Sequence, residues 1–565
     1  MRTPRRIAAR TGKRARAGRS LARRGPAVSA SFRTSTQLAD AYDVVVVGAG
    51  FGGLYALHRL RGDGFSVRVY EAGHGVGGTW FWNRYPGARC DVESLAYSYS
   101  FSRELELEWD WSERYATQPE ILRYANHVAD RFDLRRDIQF NTRVESAHWD
   151  EAASRWRVAL SSGERVSAQF VVMATGCLSA TNTPKFHGLD TFAGRIVHTG
   201  QWPEEGVDLA GKRVSIIGTG SSAVQSIPIL AEQAAHLTVF QRTANYSMPS
   251  RNAPLEPSYQ AEVKRTYAEF RKPYAGGDFG LDFDPNASLW ANATPAERRT
   301  EFEKRWQIGG LGLVGSYADV FTSPEANDAV CEFIRGKIRE TVRDPAVAEL
   351  LSPHTFIGCK RPCADTGYFE TFNRENVTLV DISQSQIDEI TPPGVRANGR
   401  EYAADVLVLA TGFDAMTGAL FRIDVRGRGG AELRNKWAEG PRTLLGLATE
   451  GFPNFFTITG PGSPSVLANM IMGIEQHVDW LADCFAHMRA HGLARIEAER
   501  AAEDEWVAHV NEIAGRTIYP TCNSWYLGAN IPGKPRVFMP YLGFPRYKAK
   551  CDEIAAQGYV GFALA

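Results

Sequence analysis

The chain has 565 residues, 44% of them hydrophobic and 23% charged, with 64 Lys plus Arg against 64 Asp plus Glu. That length predicts two or three domains of ordinary soluble composition, and no apolar run approaches the ~20 residues a membrane span needs. Residues 1–40 hold 11 Lys or Arg and one acid, leaving 53 bases against 63 acids elsewhere, a balance that argues against nucleic-acid binding by the folded part.

The basic stretch 1–40 is rich in Arg, Ala and Ser. It suits a targeting peptide, and equally a disordered extension or translation from an upstream start codon; a disordered tail is the expectation adopted. Arg5-Arg6 is followed by no apolar segment, which argues against twin-arginine export. Tyr42 to Val47 is a continuous β-branched run, the pattern of a parallel strand buried on both faces. It ends in Gly48-Ala-Gly50-Phe-Gly-Gly53 and a predicted helix, Leu54 to Arg61. Gly48 permits the tight turn, Gly50 lets backbone approach a pyrophosphate, and Gly53 lets helix and strand pack closely, with the helix N-terminus offered to phosphate. A second strand, Ser66 to Tyr70, leads into Glu71, an acid placed to bind the ribose hydroxyls of FAD or NAD.

Gly75 to Trp82 and Arg84 to Asp91 follow, glycines and aromatics that suit either a loop beside a flat cofactor or core packing. Tyr115 to Arg131 reads as an amphipathic helix. Arg155 to Leu160 and Gln169 to Met173 read as strands, the latter running into Ala174-Thr-Gly176, a turn repeated at Ala410-Thr-Gly412 after the strand Val406 to Leu409. A second fingerprint, Gly218-Thr219-Gly220-Ser221-Ser222-Ala223, follows the strand Arg213 to Ile217 and opens a helix that Pro228 is expected to kink. After the next strand, Leu237 to Phe240, Gln241-Arg242-Thr243 stands where an acid would be expected. A carboxylate there would repel a 2′-phosphate and Arg would bind it, so this site is expected to prefer NADPH, with a solvated surface Arg as the alternative.

From about 246 to 353 strands give way to predicted helices, Tyr259 to Arg271, Ala296 to Trp306 and Pro324 to Val342, read as an insertion that shapes a cavity. The eight cysteines are scattered, with no C-x-x-C pair and Cys359 and Cys363 the nearest two. A reduced protein without a structural metal is expected.

Between the fingerprints lies Phe192-Ala-Gly-Arg-Ile-Val-His198-Thr-Gly-Gln-Trp202-Pro203. This F-x-G-x-x-x-H-x-x-x-W-P stretch resembles the signature of the Baeyer-Villiger monooxygenases, flavoproteins that insert an oxygen atom beside a ketone carbonyl. The resemblance runs over essentially all of Tyr42 to Phe562. It implies an α/β fold with two Rossmann-like dinucleotide-binding domains, one inserted in the other. FAD would occupy 41–180 and 413–565, NADP 181–245 and 354–412, with the helical insertion at 246–353. It further implies that Gly78, Thr79, Trp80, Phe81, Trp82, Asp91, Tyr97 and Met470 contact FAD, that Lys360 lies near the NADP 2′-phosphate, and that Trp525 folds over NADP. Gly460 to Leu467 would be the loop that helps set ketone size.

Arg361 is implied to reach over the flavin and stabilise a C4a-peroxide and its ketone adduct, oriented by Asp91. His198 and Trp202 would couple domain movement to catalysis from outside the reacting centre. The expected activity is NADPH- and O2-dependent conversion of ketones to esters or lactones by a cytoplasmic monomer with no nucleic-acid or membrane partner. The alternatives are an N- or S-oxygenating flavin monooxygenase, against which Trp202-Pro203 argues, and a non-catalytic nucleotide-binding regulator, which would not require Arg361 and Asp91.

Overall fold

The computed structural model describes residues 40–282 and 284–565; the basic tail lies outside these, apart from Asp40. Strand Asp40–Val47 buries Val44, Val45 and Val46 completely. It pairs in parallel with Val67–Tyr70 on one side and Arg165–Met173 on the other, Val44 facing Val67 and Phe170. Burial from both faces explains why this segment is an unbroken β-branched run instead of an alternating one. The sheet continues on the far side of Arg165–Met173 through an antiparallel meander, Arg155–Leu160 and Val144–Asp150, and takes in Asp424–Arg426 and Phe455–Thr457 from late in the chain. Helix Phe51–Gly62 packs between this sheet and helix Met470–Ala490, where the Tyr55 hydroxyl donates to Asp479 at 2.6 Å; beside them Phe170 of the sheet stacks on Phe485 at 3.9 Å.

A second sheet is parallel throughout, in the order Val377–Asp381, His236–Gln241, Arg213–Ile217, Val406–Leu409, Arg195–His198. Helix Ser221–Gln233 covers it and continues through Pro228. Each sheet therefore gathers strands from widely separated parts of the chain. The fold is α/β with two dinucleotide-binding units.

The intervening helices differ in detail from the sequence expectation. The predicted helix 259–271 is two helices, Pro257–Arg265 and Tyr267–Gly276, divided at Thr266, whose φ of −124° and ψ of 34° leave the helical region. The predicted helix at Tyr115 begins at Gln118, where Thr117 is the N-cap and Pro119 occupies the first turn. Pro295–Ile308 starts at a Thr294/Glu297 capping box and Pro324–Thr341 at a Ser323 cap, each with Pro in its first turn. Phe302, Val330, Ile334 and Ile338 from these helices share one core with Ile216, Leu237 and Trp202, so the inserted helices and the second sheet are packed as a unit.

One cysteine expectation is overturned. Cys359 and Cys522, 163 residues apart, form a disulfide, and the other six cysteines are free and buried. No helix among the described residues is long and apolar enough to cross a membrane.

Candidate functional site

The two A-T-G turns occupy equivalent places. Ala174 donates its N–H to the Val47 carbonyl and Ala410 to that of Ile217, each at 3.0 Å, so each turn ends the strand beside a fingerprint strand. Gly48 (φ +103°) and Gly218 (φ +112°) lie against these turns; a Cβ would stand 2.7 Å from the Ala174 oxygen at the first and 2.5 Å from the Ala410 oxygen at the second. Only glycine satisfies both the left-handed backbone and the close approach. Gly53 packs on Gly48 even more tightly, since a Cβ there would lie 1.8 Å from the Gly48 oxygen.

The first site is a cavity of about 240 Å³ lined by Gly48, Gly50, Glu71, Gly78, Thr79, Trp80, Trp82, Tyr97, Met470 and the Thr175-Gly176 turn. Gly50 is the N-cap of Phe51–Gly62 and makes no side-chain capping bond, leaving first-turn N–H groups to a phosphate. Glu71 is buried, its two carboxylate oxygens each accepting a backbone N–H at 2.7 Å, from Ala49 and from Gly73, so it also ties the phosphate turn to the next loop. The Trp80 indole donates to the Tyr97 hydroxyl at 3.1 Å, which fixes both rings at the cavity wall, and burial raises the Tyr97 pKa. Phe81 does not line this cavity; its ring packs beneath Gly73 and Gly75, edge-on to His74. The partly enclosed cavity, the close glycine backbone and the helix N-terminus fit a dinucleotide.

At the second site Gly220 is the N-cap of Ser221–Gln233, Ala223 is fully buried against the sheet, and the Thr219 hydroxyl donates to the Thr243 carbonyl at 2.9 Å. Gln241 is buried; its amide nitrogen donates to the Leu350 carbonyl at 2.6 Å, while its Oε1 is buried without a hydrogen-bond partner. Arg242 is exposed and electrostatically coupled to Lys360, whose pKa falls to about 8 through burial first and the Arg242 charge second. Neither has an ion-pair partner among the described residues, which leaves two neighbouring positive charges uncompensated.

Arg361 is held from two directions. Its Nε donates to Asp91 Oδ2 at 3.0 Å and one terminal nitrogen to the Val466 carbonyl at 3.3 Å. Burial disfavours its charge, but Asp91, with smaller contributions from Tyr526 and Cys90, more than offsets this and holds the guanidinium pKa above its ordinary value. A residue the sequence reading missed is Gln225, on the helix that follows the second fingerprint. Its amide donates to the Arg89 carbonyl at 3.0 Å and reaches Asp91 Oδ1 at 3.5 Å, while its oxygen accepts from the Tyr85 hydroxyl at 2.8 Å. The helix of one nucleotide site thus positions the loop that carries Asp91. Its only sequence signal was its place one helical turn beyond Ser221.

The linker touches both sites. Thr199 and Ser222 share a hydroxyl hydrogen bond at 3.0 Å, and Gly200 and Gln201 line the first cavity. His198 is buried, its Nδ1 accepting the Gly200 N–H at 2.9 Å while Nε2 lies 3.3 Å from the Asn182 carbonyl and from Thr411 Oγ1; burial lowers its pKa. Trp202 is buried in the core of the second sheet. Trp525 begins a short turn capped by Ser524 and packs at a tilt against Tyr526, ring centroids 4.2 Å apart.

A family model described as pyridine nucleotide-disulphide oxidoreductase matches residues 42–268. The chain is 47% identical over 531 residues to a Baeyer-Villiger monooxygenase of Pseudooceanicola batsensis, an alignment spanning 93% of this chain and 96% of that one. The chain belongs to the Baeyer-Villiger monooxygenase family. Its fold superimposes with a TM-score of 0.89 on the structure of an oxidised steroid monooxygenase bound to NADP, 54% identical over 93% of this chain and 99% of that one. The family's relatives also include a phenazine N-monooxygenase of Lysobacter antibioticus, 40% identical over 93% of this chain and 98% of its own length.

Proposed function

We propose that this Baeyer-Villiger monooxygenase uses NADPH and molecular oxygen to convert a ketone into an ester or lactone, with FAD in the first site and NADPH in the second. The observation that carries the reading is Arg361, a guanidinium fixed at 3.0 Å by Asp91, in a loop that also carries the phosphate-site Lys360. When bound, FAD supplies hydride acceptance from NADPH and the activation of oxygen. Glu71 and the turn at Gly48–Gly53 would hold its adenosine and pyrophosphate, and Trp80, Tyr97 and Met470, which border the same cavity, would wall its ring system.

Arg361 has the chemistry to stabilise negative charge on oxygen as the ketone is attacked, and a guanidinium keeps its proton throughout the working pH range. Asp91 orients it and offsets its charge. Arg242 and Lys360 bind the 2′-phosphate, which explains a preference for NADPH. The similarity to a phenazine N-monooxygenase supports N-oxygenation as a second reading. The test is NADPH consumption with ketones, amines and sulfides under isotopically labelled oxygen. One labelled atom in an ester supports the first reading; labelled N-oxide without ester supports the second.

A further inference from the structure

Cys359 and Cys522 are both buried, and their bond joins two segments that meet at the proposed reaction site. Cys359 immediately precedes Lys360 and Arg361; Cys522 lies three residues before Trp525 and four before Tyr526. Each segment is folded locally, Cys359 N–H donating to Phe356 at 3.2 Å and Cys522 N–H to Tyr519 at 2.9 Å. Among the described residues no backbone hydrogen bond runs between 356–362 and 519–530. What otherwise joins them is apolar packing: Cys359, Tyr519, Cys522 and Tyr526 share one cluster with Phe356, and the Phe321 ring lies against Gly358 and stacks on Tyr519. Such packing is non-directional, whereas a disulfide fixes the separation of the two backbones.

We propose that the Cys359–Cys522 disulfide is a positioning cross-link that keeps the Lys360-Arg361 loop in register with the Trp525 segment, and that its reduction loosens both. The inference rests on the functional reading above. Neither cysteine touches reacting atoms; both act through the loops they carry. Reduction by a dithiol consumes two electrons and two protons. A reagent thiolate attacks one sulfur and forms a mixed disulfide, and its second thiol then closes a reagent disulfide, leaving Cys359 and Cys522 as thiols. Both sulfurs are buried, so the exchange requires local opening and is slow in the folded holoenzyme.

The holoenzyme, prepared without reductant and then denatured, is expected to yield six titratable thiols, rising to eight after dithiothreitol. Hydrogen exchange in peptides covering 356–362 and 519–530 is expected to rise on reduction. The rate of ester formation is expected to fall by up to about a hundredfold, as displacement of a positioned group predicts, with more of the NADPH consumed ending as hydrogen peroxide. Reoxidation restores the reduced enzyme, while the Cys359→Ser/Cys522→Ser double variant stays uncoupled whether or not dithiothreitol is added. Eight thiols before reduction, or unchanged exchange and coupling in the reduced enzyme, would overturn the proposal; the reduced wild type decides if the double variant fails to fold. Absence of ester from the oxidised enzyme would sink the functional reading instead, and the exchange measurement would still judge the cross-link.

Discussion

The proposed 2′-phosphate site draws its two cations, Arg242 and Lys360, from distant parts of the sequence. Arg242 follows the strand His236–Gln241, and Lys360 stands in the loop before strand Cys363–Asp365. Loss of one charge-assisted hydrogen bond to a phosphate costs about 1.5–3 kcal/mol. Arg242→Ala is therefore expected to raise KM for NADPH about tenfold or more, leaving kcat and the response to NADH nearly unchanged; equal losses with both nucleotides would remove the phosphate role. Lys360 adds a pH signature. Its pKa near 8, set by burial and then by Arg242, means that its charge is present below that pH and lost above it. KM for NADPH is accordingly expected to climb as pH passes about 8, and to climb at a higher pH in Arg242→Ala, where one cause of the depression is gone.

At the scale of elements, His477 links three of them. From helix Met470–Ala490 its Nδ1 accepts the Thr459 N–H at 2.9 Å, and its Nε2 lies 2.7 Å from the hydroxyl of Tyr547 on helix Phe544–Ala556. Burial drops its pKa from 6.5 to about 3. Because the folded value lies below the unfolded one, stability is intact above about 6.5 and is lost as pH falls toward 3. Between pH 7 and pH 5 this single group should remove about 2 kcal/mol of unfolding free energy. His477→Gln is expected to flatten that part of the denaturation profile; an unchanged slope would assign the acid sensitivity elsewhere.

The elements also divide into those the sequence reveals and those it hides. Strand Asp40–Val47, both glycine fingerprints and the paired A-T-G turns were legible because buried parallel strands and phosphate turns constrain residue type directly. The break at Thr266 and the Cys359–Cys522 pairing were not, since neither a change of backbone angle nor a contact across 163 residues leaves a local periodicity. Gln225 escaped notice for the same reason: its partners Tyr85, Arg89 and Asp91 lie more than a hundred residues earlier.

Across the whole molecule the linker Phe192–Pro203 lies against both nucleotide sites. Thr199 bonds to the second fingerprint, Gly200 and Gln201 border the first cavity, and buried His198 accepts the Gly200 N–H between them. The proposed role of His198, coupling the two sites, follows from that position. His198→Ala is expected to retain FAD yet lose ester yield per NADPH consumed, with hydrogen peroxide making up the difference. An unaffected coupled rate would reduce His198 to a packing residue.

The account depends most on Arg361, the one permanent charge held between Asp91 and the Val466 carbonyl. The direct measurement is the rate of ester formation by Arg361→Ala holoenzyme at saturating NADPH and ketone, with FAD content checked in the same preparation. Loss of a single preorganised donor to developing negative charge predicts a fall of about a hundredfold or more with flavin still bound. Ester formed at the wild-type rate by that variant would contradict the account.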